Sequence, residues 1–372
     1  LHNHASCIIE TPKHELLVTW YRGSGERSAD DVAIIGSRKS GNGNWSDVFE
    51  MAKTPGFPDM NPCLTVDPNR KLWLIWPIVL DNHWESALLK VKTAKKYEGG
   101  NSAPQWDMSE DIHLKPGSEF QSDVLKYLRQ RWAKYRVGAT EANTSRLDQY
   151  LTDREGAYNT PLRVRLGWMP RVHPFWLGNR IILPLYSDGF DFSLMGISDD
   201  MGKTWHTSHP IVGAGNIQPS IVQKKDGTLV AYFRDNGPPP KRVMVSKSTD
   251  RGETWSEPLD TEIPNPGSGV EAIKLSSGLW VYVGNDTERS RESLTVYVST
   301  NEGESWQLKR HLEHDAPSSV AGSYSYPSII QSHDGTIHVS YSYRPQLTSD
   351  NKSPGESIKH AWFTEKWLLA GQ

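Results

Sequence analysis

The eight-residue phrase SDDMGKTW at 198–205 returns as STDRGETW at 248–255 and as STNEGESW at 299–306. Its closing tryptophans, Trp205, Trp255 and Trp306, lie 50 and 51 residues apart. A recurrence at that period signals a propeller or solenoid built from one repeated unit. Around each copy the order is apolar strand, Gly-containing turn, second strand, variable stretch, third strand, phrase. The clearest unit reads PSIVQ (219–223), DGTLVAYFRD (226–235) and RVMVSKSTDRGETW (242–255). Alternating apolar residues between Gly/Asp turns mark short antiparallel strands. Within the phrase, the Asp side chain bonds turn N–H groups, Gly accepts positive φ, and Trp packs beneath. It therefore reads as a structural staple on the outer rim of a β-blade, not as a catalytic motif.

Degenerate copies extend the count. SRKSGNGNW (37–45) follows two strands, LWLIWPI and SALLKVK precede Trp106, and YPSIIQSHDGTIHVSYSYR (326–344) opens a last blade. The whole chain, 1–372, reads as one all-β domain, a six-bladed β-propeller with blades beginning near 4, 61, 173, 218, 268 and 326. Trp106 and Trp205 are 99 residues apart, too far for one blade. The excess, 107–165, contains SEFQSDVLKYLRQRWAKYRV, whose apolar residues fall at helical spacing. A partly helical insertion between blades two and three is expected, walling one rim of the active face.

Composition narrows the function. Apolar residues make up 36%, beside 15 Trp, 14 Tyr and 30 Gly, a balance suited to turn-rich β structure with a sugar-friendly aromatic surface. With 41 basic and 44 acidic residues and no block of like charge, nothing favours nucleic acid or a membrane surface. No apolar run approaches the roughly 18 residues of a membrane span. Because the numbering starts inside what reads as a strand, a removed leader is expected, and with it a secreted or periplasmic enzyme. Cys7 and Cys63 make no disulfide framework; two buried thiols are expected, with a single bridge as the alternative.

The phrase is what is called an Asp box, and three of them on six blades resemble the sialidase (neuraminidase) superfamily over nearly the whole chain except the insertion. In that family three arginines bind the substrate carboxylate, an Asp is acid/base, and a Tyr with a Glu partner is the nucleophile. The resemblance implies a glycan or oligosaccharide substrate and no cofactor. QPSIVQKKDGTLVAYFRDNG (218–237) is similar to the segment carrying the partner Glu and the second arginine; Arg234 matches the latter, and Gln218 replaces the former. NDTERSRESLTVYVSTNEGESW (285–306) offers Arg291 as the third arginine, with Arg289 beside it. YSYPSIIQSHDGTIHVSYSY (324–343) resembles the tyrosine strand, and Tyr326, eight residues before Asp334, is the implied nucleophile, with Tyr324 as fallback.

Blade one departs from the pattern. His4 in HNHASCII stands where the first arginine is expected, and Glu26 in YRGSGERSADDV is favoured over Asp30 and Asp31 as acid/base. GWMPRVHP brings Arg171 and His173 toward the axis as substrate-binding candidates, and Glu271 in GSGVEAIKL is the candidate replacement base beside Tyr326. His2 and His4 share one strand face, a pair short of a third metal ligand, so no metal is assigned. The leading expectation is an exo-sialidase-like hydrolase. The alternatives are a propeller lyase or exo-rhamnosidase on uronate-containing polysaccharide, or a non-catalytic glycan-binding propeller.

Overall fold

A computed structural model describes residues 1–348 and 354–370. Six antiparallel sheets follow one another along the chain. Blade one comprises His2–Glu10, Glu15–Gly23, Ala33–Ser40 and Phe49–Ala52; blade two Cys63–Val66, Leu72–Val79, Ala87–Ala94 and Met108–Ile112. Blade three comprises Phe175–Leu177, Arg180–Ser187, Phe192–Ser198 and His206–Thr207; blade four Asn216–Gln223, Leu229–Asp235, Arg242–Ser248 and Leu259–Pro264. Blade five comprises Glu271–Lys274, Trp280–Gly284, Ser293–Ser299 and Leu308–His314, and blade six the three strands Ser323–Gln331, Ile337–Arg344 and Ser357–Phe363. The six-bladed propeller read from the repeat is the fold. No helix is long and apolar enough to cross a membrane among the described residues.

The repeated phrase is the staple that its chemistry predicted, and it holds blades to each other. Asp200 Oδ1 accepts the Ser198 hydroxyl at 2.8 Å and the Thr204 N–H at 2.9 Å, while Trp205 Nε1 donates to the Gly202 carbonyl at 3.1 Å. Gly202 has φ 82°, and a Cβ there would lie 2.5 Å from the Trp73 ring of blade two. The turn of blade three thus presses backbone onto its neighbour. Blade four repeats the contact with Ile182 of blade three, and blade five with Tyr232 of blade four.

Between blades two and three stand helices Glu119–Arg136, Glu141–Tyr158 and Pro161–Arg165. The insertion expected over 107–165 opens with a strand, because Met108–Ile112 pairs with Ala87–Ala94 and completes blade two. Phe120, Val124 and Leu125 of the first helix bury against Trp168, Phe192 and Leu194, which fixes the helices to blade three. Arg154 of the second helix donates to the Gly189 carbonyl at 2.9 Å, anchoring the turn that follows Ser187. Cys7 and Cys63 are buried free thiols.

A register rule organises the axis. Ala5, Asn61, Gln218 and Tyr326 have φ of 54°, 37°, 55° and 54°, and the pairings of blades one, four and six shift register there. Such a bulge turns one side chain out of the sheet at the axis. Two residues further on, a side chain accepts a backbone N–H of the next blade. Leu64 donates to Cys7 Sγ at 3.2 Å, Ala272 to Ser220 at 3.0 Å, Ile329 to Glu271 at 2.8 Å, and Ile8 to Ser328 at 3.1 Å. The bulge residues form the floor of the axial site, and the bonded residues brace it from beneath.

Candidate active site

Tyr326 occupies the floor position of blade six and is 9% exposed. Arg234 Nη1 donates to its hydroxyl oxygen at 2.7 Å and Gln218 Nε2 at 3.3 Å. The guanidinium carbons of Arg171 and Arg291 lie 4.8 and 5.4 Å from the centre of its ring. Burial opposes ionisation of this phenol, but Arg234, Arg291, the Gln218 bond and Arg171 outweigh it and hold the pKa below the ordinary tyrosine value. No carboxylate is among the hydrogen-bond partners of Tyr326 in the described residues.

Each arginine has its own station. Arg234 leaves the second strand of blade four, with Nη2 3.3 Å from Asn236 Oδ1. Arg291 donates to the Gly267 carbonyl at 2.9 Å and lines a recess of ≈ 220 Å³ with His2, His4, Glu26, Ser325, Arg344 and Glu356. Arg171, expected among the substrate contacts, is 1% exposed and donates to the Pro327 carbonyl at 3.0 Å. It supports the Tyr326 ring from below, out of reach of a ligand in the recess.

Glu271 and His173 also lie beneath the floor, not on it. Glu271 accepts His173 N–H at 3.2 Å, His173 Nδ1 at 2.7 Å and Ile329 N–H at 2.8 Å. His173 Nε2 is 2.8 Å from the Ile8 carbonyl. The floor residue of blade five is Gly269, so Glu271, two positions on, takes the bracing station and does not bond Tyr326. Burial disfavours charge on His173, yet the Cys7 sulfur and the Glu271 carboxylate raise its pKa well above 6.5. Burial likewise opposes the Glu271 charge, but His173, the Ile329 N–H and Arg171 lower its pKa. The two form an ion pair that ties blades one, three, five and six together.

Blade one supplies the other wall. The His4 ring centre is 4.2 Å from that of Tyr326, and its nitrogens have no hydrogen-bond partner among the described residues. Burial, reinforced by His2, Arg291 and Arg171 against the pull of Glu26, keeps His4 a neutral imidazole. Glu26 accepts the Tyr21 hydroxyl at 2.9 Å and lies 3.3 Å from His2 Nε2. His2 Nδ1 bonds Glu356 on the other side. The bond to His2 dominates Glu26, whose pKa falls to about 2 against its own burial, while His2 rises to about 9. Glu26 is thus held as the charged partner of His2.

The sequence reading missed Asp188. It sits on the turn between Ser187 and Phe192 that Arg154 anchors, and its carboxylate has no hydrogen-bond partner among the described residues. Burial raises its pKa to about 6, with Asp191 and Glu85 adding to the rise and Arg234 and Arg27 opposing it. Arg234, which holds the Tyr326 hydroxyl, is near enough to act on the Asp188 charge. Tyr21, Tyr186 and Glu356 were missed as well. Asn61 donates to the buried Tyr186 hydroxyl at 3.1 Å. Only Tyr21 carried a local signal, standing at the strand end before the Glu26 loop.

Comparisons with known proteins agree with this architecture. Residues 168–339 match the BNR repeat-like domain. An anhydrosialidase of Macrobdella decora is 25% identical over 239 residues, 53% of this chain and 29% of that protein. The solved NanB sialidase of Streptococcus pneumoniae superposes with TM-score 0.70 at 14% identity, covering 99% of this chain and 69% of that one. A protein of unknown function from Dyadobacter fermentans superposes with TM-score 0.66 at 14% identity, covering 97% and 93%. The chain is a sialidase-like six-bladed β-propeller with BNR repeats. The match to the leech enzyme spans less than a third of that enzyme's length.

Proposed function

We propose that the protein is an exo-acting glycosidase that releases a terminal acidic, sialic acid-like sugar from glycans. The observation that carries this reading is Tyr326 itself: a floor tyrosine whose oxygen receives two N–H donors and whose ring lies among three guanidiniums. Arg234 and Arg291 are the fork-shaped donors suited to a sugar carboxylate. A carboxylate nucleophile would be repelled by that substrate. A tyrosine oxygen is neutral until it loses its proton to solvent, and the arginines that lower its pKa balance the charge that this leaves. Tyr326 attacks the anomeric carbon, the glycosidic C–O bond breaks, and the leaving oxygen takes a proton from Asp188. The resulting carboxylate then removes a proton from water, which displaces Tyr326 and gives the sugar with retained configuration. Glu26, charged and tied to His2 and Tyr21, positions the rim. The substrate class fits a secreted or periplasmic enzyme.

Neutral, unpartnered His4 against Tyr326 favours a second reading, a lyase in which His4 removes the proton α to an arginine-neutralised uronate carboxylate. A fluorogenic α-sialoside and a uronate-containing polysaccharide, each assayed with wild type and Tyr326→Phe, separate the readings. Sialoside release that falls at least about 1000-fold in the variant supports the glycosidase. An ultraviolet-absorbing unsaturated product from the polysaccharide, with no sialoside release, replaces it by the lyase. Binding without either product makes the propeller a lectin.

A further inference from the structure

On the face opposite the recess, at the seam where the first and last blades meet, two turns bring three metal-ligating side chains together. Glu10 and His14 come from the first hairpin of blade one, and His333 from the first hairpin of blade six. Glu10 Oε1 is 2.6 Å from His333 Nδ1 and 3.4 Å from His14 Nδ1, and the two imidazole centres are 3.3 Å apart. Among the described residues this is the one group of three whose donor atoms all lie within 4.8 Å of one another. We propose that Glu10, His14 and His333 bind a divalent transition-metal ion, of the zinc class, that clasps blade one to blade six.

Two imidazoles and one carboxylate are a donor set for zinc, nickel or copper, not for calcium or magnesium, which take all-oxygen sites. Bonds of about 2.0–2.1 Å around a tetrahedral ion separate ligand atoms by about 3.3 Å. The His14–Glu10 distance is already at that spacing, and the His333–Glu10 contact needs to open by less than an ångström. His14 holds φ 65°, a left-handed conformation uncommon outside glycine, and it is this turn that brings its ring over His333. No lysine or arginine pairs with Glu10 among the described residues. The contrast is the surface pair His206–Glu253, where Arg180 Nη1 sits 2.8 Å from the same carboxylate and would repel a cation. Side-chain exposures of 51% for both histidines and 16% for Glu10 leave room for water as a fourth ligand.

The place gives the site a purpose. Among the described residues each sheet is built from consecutive strands. Side-chain bonds such as Ser6 to Ser340 at 2.9 Å and Ala5 N–H to Ser342 at 3.1 Å cross the seam between the two blades. A metal bound across it holds together the two blades whose parting opens the ring.

The test is a calorimetric titration of tag-free, chelator-stripped full-length protein with Zn²⁺. One equivalent is expected, together with a higher unfolding temperature and, with Co²⁺, visible d–d absorption. His14→Gln and His333→Gln should each weaken binding at least tenfold and abolish the zinc-dependent thermal shift, while His206→Gln leaves both intact. All three side chains are about half exposed, so apo unfolding temperatures near wild type confirm folding. Absence of saturable binding at one equivalent, or wild-type affinity in both seam variants, overturns the proposal and leaves Glu10 as a cap of the His333 turn.

Discussion

Replacing Glu271 by Gln separates a brace from a base. The carboxylate is 2% exposed, accepts three N–H groups, and pairs with a His173 whose pKa is raised. Gln keeps the shape but presents an NH₂ to one of those donors and leaves the imidazolium without its counter-charge. Removing one partner of a buried ion pair costs about 3–5 kcal/mol. For 372 residues, an unfolding entropy of about 2.1 cal/mol/K per residue gives ~0.8 kcal/mol/K. The unfolding temperature should therefore fall by about 4–6 °C. Because folding raises the His173 pKa above 6.5, its share of the stability is complete below 6.5 and fades as pH climbs toward the folded value. Folding lowers the Glu271 pKa below 4.5, so its share is complete above 4.5 and fades as pH falls through the folded value. The gap between wild type and variant should be widest between those two values, measured by scanning calorimetry across pH. Glycoside turnover well below the unfolding temperature should stay within about threefold of wild type. An unshifted unfolding temperature with turnover lost by orders of magnitude would refute the bracing role and restore Glu271 as the base serving Tyr326.

Asp188→Asn should move stability and activity in opposite directions. A carboxyl raised from 3.8 to about 6 on folding contributes stability that is complete below 3.8 and lost as pH rises through 6. About two units at about 1.4 kcal/mol each make the variant up to ~3 kcal/mol more stable than wild type above pH 6. Turnover should drop about 100-fold or more, and undiminished turnover removes Asp188 from proton transfer. Gly269→Ala places a Cβ 3.0 Å from Gln218 Oε1, 3.2 Å from Arg171 Nε and 3.5 Å from Tyr326 Cδ1. Turnover should fall about tenfold as the tyrosine shifts, with the fold retained by circular dichroism; full turnover would show that the floor tolerates displacement.

The two fluorogenic and seam-metal experiments complete the set, and each fails independently of the other. Loss of zinc binding leaves the proposed glycosidase reading untouched, and a silent sialoside assay says nothing of the seam.

The fold was legible in the sequence because its signals are local. The Asp-box turns close within eight residues, strand alternation is set by a two-residue period, and the helical insertion shows a different period. Tyr326, Arg234, Arg291, Gln218 and His4 were reached through segments that resemble the sialidase pattern, Tyr326 also by its eight-residue offset from Asp334. What the sequence left open is direction around the axis. Tyr326 and Gln218 stand on bulge positions and line the floor, whereas Glu271 stands two residues past Gly269 and is turned beneath it; Arg171 and His173 are likewise held below. That difference depends on positive φ at one residue and on a hydrogen bond to a strand more than fifty residues away. The tie between Glu26 and His2 was not legible either, because Glu356, 354 residues from His2 in sequence, bonds that histidine from its other side. Asp188 gave no signal, since its raised pKa comes from burial on a turn whose charged neighbours, Arg234, Asp191, Glu85 and Arg27, are assembled from several blades. Charge and protonation belong to neighbours, and neighbours across a closed ring are chosen only when the ring closes.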